Sequence, residues 1–154
     1  MLAVTFYSSV VALHVMSIVL AFGVTFAYPI MGPYVGKNMP QAVAGFHRMQ
    51  HRIGQVLITP FAALALVTGI YLAADQDLFD QIWVQIPFAI LLILLGLGGA
   101  FFAPQEKKAA ELAETSPGSP EYMAVVGRVA KVGALSSLLV LVAIFCMVAK
   151  PGCC

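Results

Sequence analysis

The sequence predicts an all-α fold, an integral membrane bundle of four antiparallel transmembrane helices. Three observations predict it. Of the 154 residues, 61% are hydrophobic. Only 10% are charged, against roughly 25% in an ordinary soluble domain. The apolar residues gather into four runs, each close to the ~20 residues that cross a bilayer as a helix. A soluble fold of this length cannot hide that much apolar surface. The net charge is +1. There is no basic stripe and no glycine-rich phosphate loop, so nothing points to a nucleic-acid partner.

The first run, about 4–27, lies in a stretch without any charge from Met1 to Gly36. It has no basic residues ahead of it and is too long for the core of a cleaved leader. Pro29 and Pro33 are expected to stop it. Residues 28–40 (YPIMGPYVGKNMP) are rich in turn formers and should be irregular. Residues 41–52 then read as a short amphipathic helix leading into the second run, about 53–74. The third run is about 82–103. Pro60 and Pro87 are each placed within the first two turns of a span, where a missing N–H matters least. Residues 105–114 favour helix and TSPGSP (115–120) breaks it. The fourth run, about 124–149, completes one domain over 1–154. Ala65/Gly69, Gly96/Ala100 and Gly133/Ser137 supply the small-xxx-small spacing that lets helices approach in lipid.

Basic residues set the orientation. Lys37, Arg48, Arg52, Lys107, Lys108, Arg128 and Lys131 fall in the two odd-numbered loops, and Lys150 alone falls on the side of the termini. The loops are therefore expected in the cytoplasm and both termini on the extracytoplasmic side. The bacterial cytoplasmic membrane is the expected location, with the lipid bilayer and other membrane subunits as partners.

Three histidines carry the chemistry available. His14 sits near the middle of the first run, where an ionisable side chain is costly and faces protein or a cavity. The 3–4 rule puts it on a stripe with Tyr7, Val10, Val11, Ser17, Ile18, Ala21 and Thr25. That stripe is small and slightly polar, so it should face the bundle. Gln55 and Thr59 are the expected hydrogen-bond partners. The plainer reading is a neutral histidine bonded across helices; the sharper one is a haem or quinone contact. No other ionisable residue falls at a span centre, which argues against an ion pathway.

His47 and His51 stand one helical turn apart in GFHRMQHRIGQ, with Arg48 and Arg52 one turn apart beside them. Two such histidines supply two metal ligands, and a zinc site needs three or four. Glu106, Glu111, Glu114 and Glu121 lie on the same expected side. The plainer reading is interfacial: arginine stems lie along apolar surface with their heads at lipid phosphates. His51 and Arg52 are also candidates for a cofactor contact. His51 stands ~18 Å along its helix from the centre of the span, so it does not match His14 in depth, and the two are not expected to clamp one haem. Cys146, Cys153 and Cys154 form neither a CxxC nor a zinc spacing. The adjacent Cys153 and Cys154 read as a tail, with metal binding or lipidation as alternatives.

The stretches ALHVMSIVLAFGVTFAYPIMG (12–32) and LITPFAALALVTGIYL (57–72) carry a resemblance. An LH in helix one, a proline-rich exit and a TG near the end of helix two resemble a family of bacterial integral membrane proteins of unknown function. That family is similar in turn to copper-resistance-D-like proteins and to membrane-embedded protoporphyrinogen oxidases, small helical bundles with an early intramembrane histidine. The resemblance implies a four-helix membrane fold and places His14 at that histidine. The chain departs from the oxidase pattern in having no charged or histidine partner at matching depth in a later helix.

The expected function is that of a non-catalytic accessory or assembly subunit of a larger membrane complex, respiratory or photosynthetic. A haem- or quinone-binding redox protein using His14 is one alternative. Copper-like metal transport or sensing through His47 and His51 is another.

Overall fold

The computed structural model describes residues 5–151, and no strand occurs among them. Four helices are long and apolar enough to cross a membrane: α1 (Phe6–Asn38), α2 (Pro40–Asp75), α3 (Ile82–Thr115) and α4 (Pro120–Ala149). They run 30 to 36 residues, or about 45–54 Å at 1.5 Å per residue. That exceeds a ~30 Å hydrocarbon core. The surplus arises because each apolar run continues without a full break into a polar half.

The ends follow from local chemistry. Thr5 caps α1 by accepting from the Ser8 N–H, and Ser119 caps α4 by accepting from the Tyr122 N–H at 3.2 Å. Pro120 follows in the first turn, where its missing N–H has no partner to lose. At the other end Lys150 turns left-handed, with φ 45°.

The polar half of α1 corrects an expectation. Pro29 and Pro33 do not stop the helix, and 28–40 is not irregular. Gly23–Phe26 tightens into a 3₁₀ turn and the segment Tyr28–Asn38 continues as α-helix. Pro29 stands in the first turn of that segment, so the cue that ended the span in the sequence opens a helix instead.

Pro60 stands in the first turn of the α-helical segment Thr59–Asp75, but the helix runs on ahead of it as far as Pro40. The Pro60 ring removes the donor that the Val56 carbonyl would need. The ladder adjusts just before it: Gly54–Ile58 widens into a π turn and the Thr59 N–H reaches back to the Gly54 carbonyl. The same device recurs in α3, where Gly98–Phe102 is π and Pro104 follows. Pro87 does lie in the first two turns of α3.

Packing partners differ between the halves. In the apolar half Phe6–Phe22 packs on Thr59–Asp75, and Ile82–Leu97 packs on α4. The core there joins Ala21, Phe22, Ala62, Ala65, Ile90, Leu91, Leu94 and Val140. In the polar half Val43–Ile53 packs on Ala103–Thr115, which in turn packs on α4. The stripe predicted on α1 holds for Ser17 and Ala21, which are buried, and for half-buried His14; Tyr7 is exposed. Ala65 and Gly69 lie in the α1–α2 contact, whereas Gly96 and Ala100 are exposed. At the far end of the apolar half Trp83 packs with Ala73 and Val84, and the Lys150 ammonium lies 4.9 Å from its ring centroid.

Candidate functional site

The structure builds two polar centres, one in each half. In the apolar half, α1 carries His14 against α2. Its Nδ1 lies 3.0 Å from the Thr68 hydroxyl oxygen. That hydroxyl owns one proton, and it donates back to the Leu64 carbonyl at 2.8 Å or the Ala65 carbonyl at 3.1 Å. While it does so its oxygen accepts from His14, an arrangement that goes with the tautomer in which Nδ1 carries the ring proton and Nε2 keeps its lone pair. Gly69 makes the approach possible, because a Cβ there would stand 3.0 Å from His14 Cε1. An imidazole whose Nδ1–H is fixed by an oxygen and whose Nε2 is bare has the form in which histidine binds a metal or accepts a proton.

Gln55 and Thr59 are not the partners of His14. Both are exposed, and Thr68 takes the role instead. Thr68 and Gly69 are the TG of the sequence. Two to four turns of helix separate them from the residues expected, because Ile53 is not where α2 meets the bundle core.

In the polar half, His47 and Glu106 form a buried pair, with Nδ1 to Oε2 at 2.8 Å and side chains 8% and 7% exposed. His47 Nε2 lies 3.3 Å from the Tyr122 hydroxyl. Burial, and then the negative charge of Glu106, hold the Tyr122 phenol above its ordinary value. Tyr122 therefore keeps its proton, and its hydroxyl closes a chain that runs from Glu106 through His47 to Tyr122. Tyr28 joins from α1: its ring meets Phe46 edge-on at 6.4 Å. Burial first and Glu106 second push its phenol up to about 12. Glu106 on α3, His47 on α2 and Tyr122 on α4 thus form one hydrogen-bonded chain, and Tyr28 on α1 packs beside it through Phe46.

The remaining candidates sit around this centre. The Nδ1 of His51 is buried without a hydrogen-bond partner, and the structure does not bring His51 into the His47–Glu106 contact. Arg52 is exposed. Arg48 pairs with Glu114, and Lys108 with Glu121 at 2.7 Å. Lys108 holds the Glu121 carboxyl below its usual value through that bond and its charge. Among the described residues no three His, Cys, Asp or Glu side chains gather to hold a metal ion. Cys153 and Cys154 lie outside the described residues.

Sequence reasoning named Glu106 only as one of four carboxylates, and did not bring Tyr28 or Tyr122 to it. A usable signal existed. Glu106, Ala109 and Ala110 recur at the 3–4 spacing of one helix face. Two adjacent alanines on a charged helix mark where it packs closely, and all three are buried. No family model, curated protein or solved structure matches this chain.

Proposed function

We propose that this chain is a non-catalytic accessory or assembly subunit of a larger complex in the bacterial cytoplasmic membrane. Its four spans run antiparallel, the polar half faces the cytoplasm and both termini face out, as the distribution of lysine and arginine supports. The observation that carries the reading is the outer face of the helix Tyr28–Asn38. The segment has no fully buried residue. While Tyr28 packs on Phe46, Ile30 is exposed at 75% and Tyr34 at 61%. These apolar side chains lie beyond the apolar run of α1, on a face that their own bundle leaves bare. A contiguous apolar strip at such a place suits a protein surface.

A photo-crosslinking residue at Tyr34, followed by mild-detergent purification and mass spectrometry, tests the proposal. The expected product joins this chain to a larger membrane protein. Recovery of the chain alone, or cross-linked only to lipid, overturns it.

His14 supports a second reading, a redox protein holding haem b or a quinone headgroup. The supporting observation is the fixed Nδ1–H with a bare Nε2. The resemblance to families with an early intramembrane histidine points the same way. The purified protein then shows a Soret band, or a quinone in its lipid extract, that His14→Ala removes. A colourless, quinone-free preparation counts against it.

A further inference from the structure

Three of the four helices abandon α geometry in their interior, and each does so at the same sequence pattern. Gly23, Gly54 and Gly98 open the irregular turns Gly23–Phe26, Gly54–Ile58 and Gly98–Phe102. A proline stands six residues after each glycine, at Pro29, Pro60 and Pro104. All three turns fall at the junction between an apolar and a polar half.

Glycine inside a helix costs about 1 kcal/mol relative to alanine. Two ordinary reasons for keeping one are absent here. None of the three has a positive φ, and a Cβ at any of them would meet nothing within 4 Å. They neither admit a neighbour nor relieve a strained backbone. What remains is freedom to bend. Proline beside a non-α turn is the usual source of a helix kink. By contrast α4 (Pro120–Ala149) is one continuous α-helix through the same junction.

Helix α2 changes partners across its turn, packing on α1 in the apolar half and on α3 in the polar half. Below the turns, α2 and α3 are therefore joined to each other. They meet α4 through the His47–Tyr122 bond, the exposed Lys108–Glu121 pair and the helix contact itself. The His47–Glu106 pair joins the two arms to each other, and the partly buried His47–Tyr122 bond at 3.3 Å ties them to α4 more firmly than the exposed Lys108–Glu121 pair does.

We propose that Gly54–Ile58 and Gly98–Phe102 are paired hinges on which Val43–Ile53 and Ala103–Thr115 swing together against a fixed α4, with the Glu106–His47–Tyr122 chain as the catch. Val43–Ile53 has 11 residues, an arm of about 17 Å. A change of kink by about 20° carries its tip roughly 6 Å.

Double electron–electron resonance on spin-labelled full-length protein in lipid nanodiscs tests this. One label pair reports on the polar half (Met49→Cys with Met123→Cys) and one on the apolar half (Tyr71→Cys with Phe145→Cys). Cys146, Cys153 and Cys154 are replaced by alanine in both. All four labelled side chains are exposed. Releasing the catch with Tyr122→Phe, which keeps the ring and removes only the hydroxyl that ties the arms to α4, shifts or splits the polar-half distance by roughly 3 Å, since Met49 stands five residues from Gly54, and leaves the apolar-half distance unchanged. Glu106→Ala, which takes away the carboxylate that orients His47, gives a smaller shift in the same direction. Adding Gly54→Ala and Gly98→Ala to Tyr122→Phe restores the parental distance.

The proposal is overturned if neither catch variant moves the polar-half distance, if both label pairs change alike, or if the alanines leave the released distance unaltered.

Discussion

At the residue scale, glycine has opposite meanings in the two halves. At Gly69 an added methyl collides with His14, and overpacking a tight contact costs about 1–3 kcal/mol. Gly69→Ala is therefore expected to lower the thermal midpoint in detergent and to loosen the His14–Thr68 contact. Glu106 makes a different prediction. A hydrogen bond to a charged group contributes about 1.5–3 kcal/mol, so Glu106→Ala should destabilise by that order, measured by unfolding in mixed micelles.

The tyrosines give a pH dependence with a definite sign. Tyr28 ionises near 10 in the unfolded chain and near 12 in the folded one. Between those values the folded state holds the extra proton, so its contribution is full below pH 10 and is lost as pH rises toward 12. Tyr122 adds in the same direction. Tyr28→Phe should flatten the fall of melting temperature with alkaline pH. The histidine in the apolar half was legible from the sequence because an ionisable group stands out among apolar residues. Its partner was not, because helical period fixes a face but not which turn of the neighbouring helix lies at the same depth.

At the scale of elements, all four spans were visible as apolar runs, and their true lengths were not. Proline and glycine were read as stops at Pro29 and Pro33, since both residues do end helices in water. In α1 the helix instead tightens at Gly23–Phe26 and continues. In α2 and α3 a π turn changes the register ahead of Pro60 and Pro104, so one lost hydrogen bond does not end the ladder. The six-residue spacing from glycine to proline was present in the sequence three times, but only the geometry links it to a turn. Because nothing meets a Cβ at Gly54 or Gly98, each alanine there should raise stability by up to about 1 kcal/mol, against the loss expected at Gly69. Thermal melts of the three single variants, run side by side, check that opposition.

For the molecule as a whole, no more than 22% of the most apolar stretch of any helix is buried within the bundle. Lipid or neighbouring protein must cover the rest, so the protein should leave membranes only with detergent and should precipitate when detergent is removed. Site-directed labelling in sealed vesicles checks the proposed orientation: maleimide reaching a cysteine at Lys107 from the cytoplasmic side and one at Lys150 from the other. Labelling of both from one side would reverse or break that topology. Composition alone was enough to predict the solvent of this chain, because the charge deficit is a property of the whole sequence and needs no contact to be known. Which faces meet lipid and which meet protein depends on packing angles that no single-helix pattern contains.

The extra length of the helices has a practical consequence. A membrane protein of 16.4 kDa is normally invisible inside its micelle to electron cryomicroscopy, because nothing breaks the symmetry of the detergent belt. Here roughly 15–24 Å of helix stands clear of a ~30 Å hydrocarbon slab. An antibody fragment raised against the polar end of α4, which runs through the junction as one continuous helix, would hold a rigid knob and serve as a fiducial for aligning single particles.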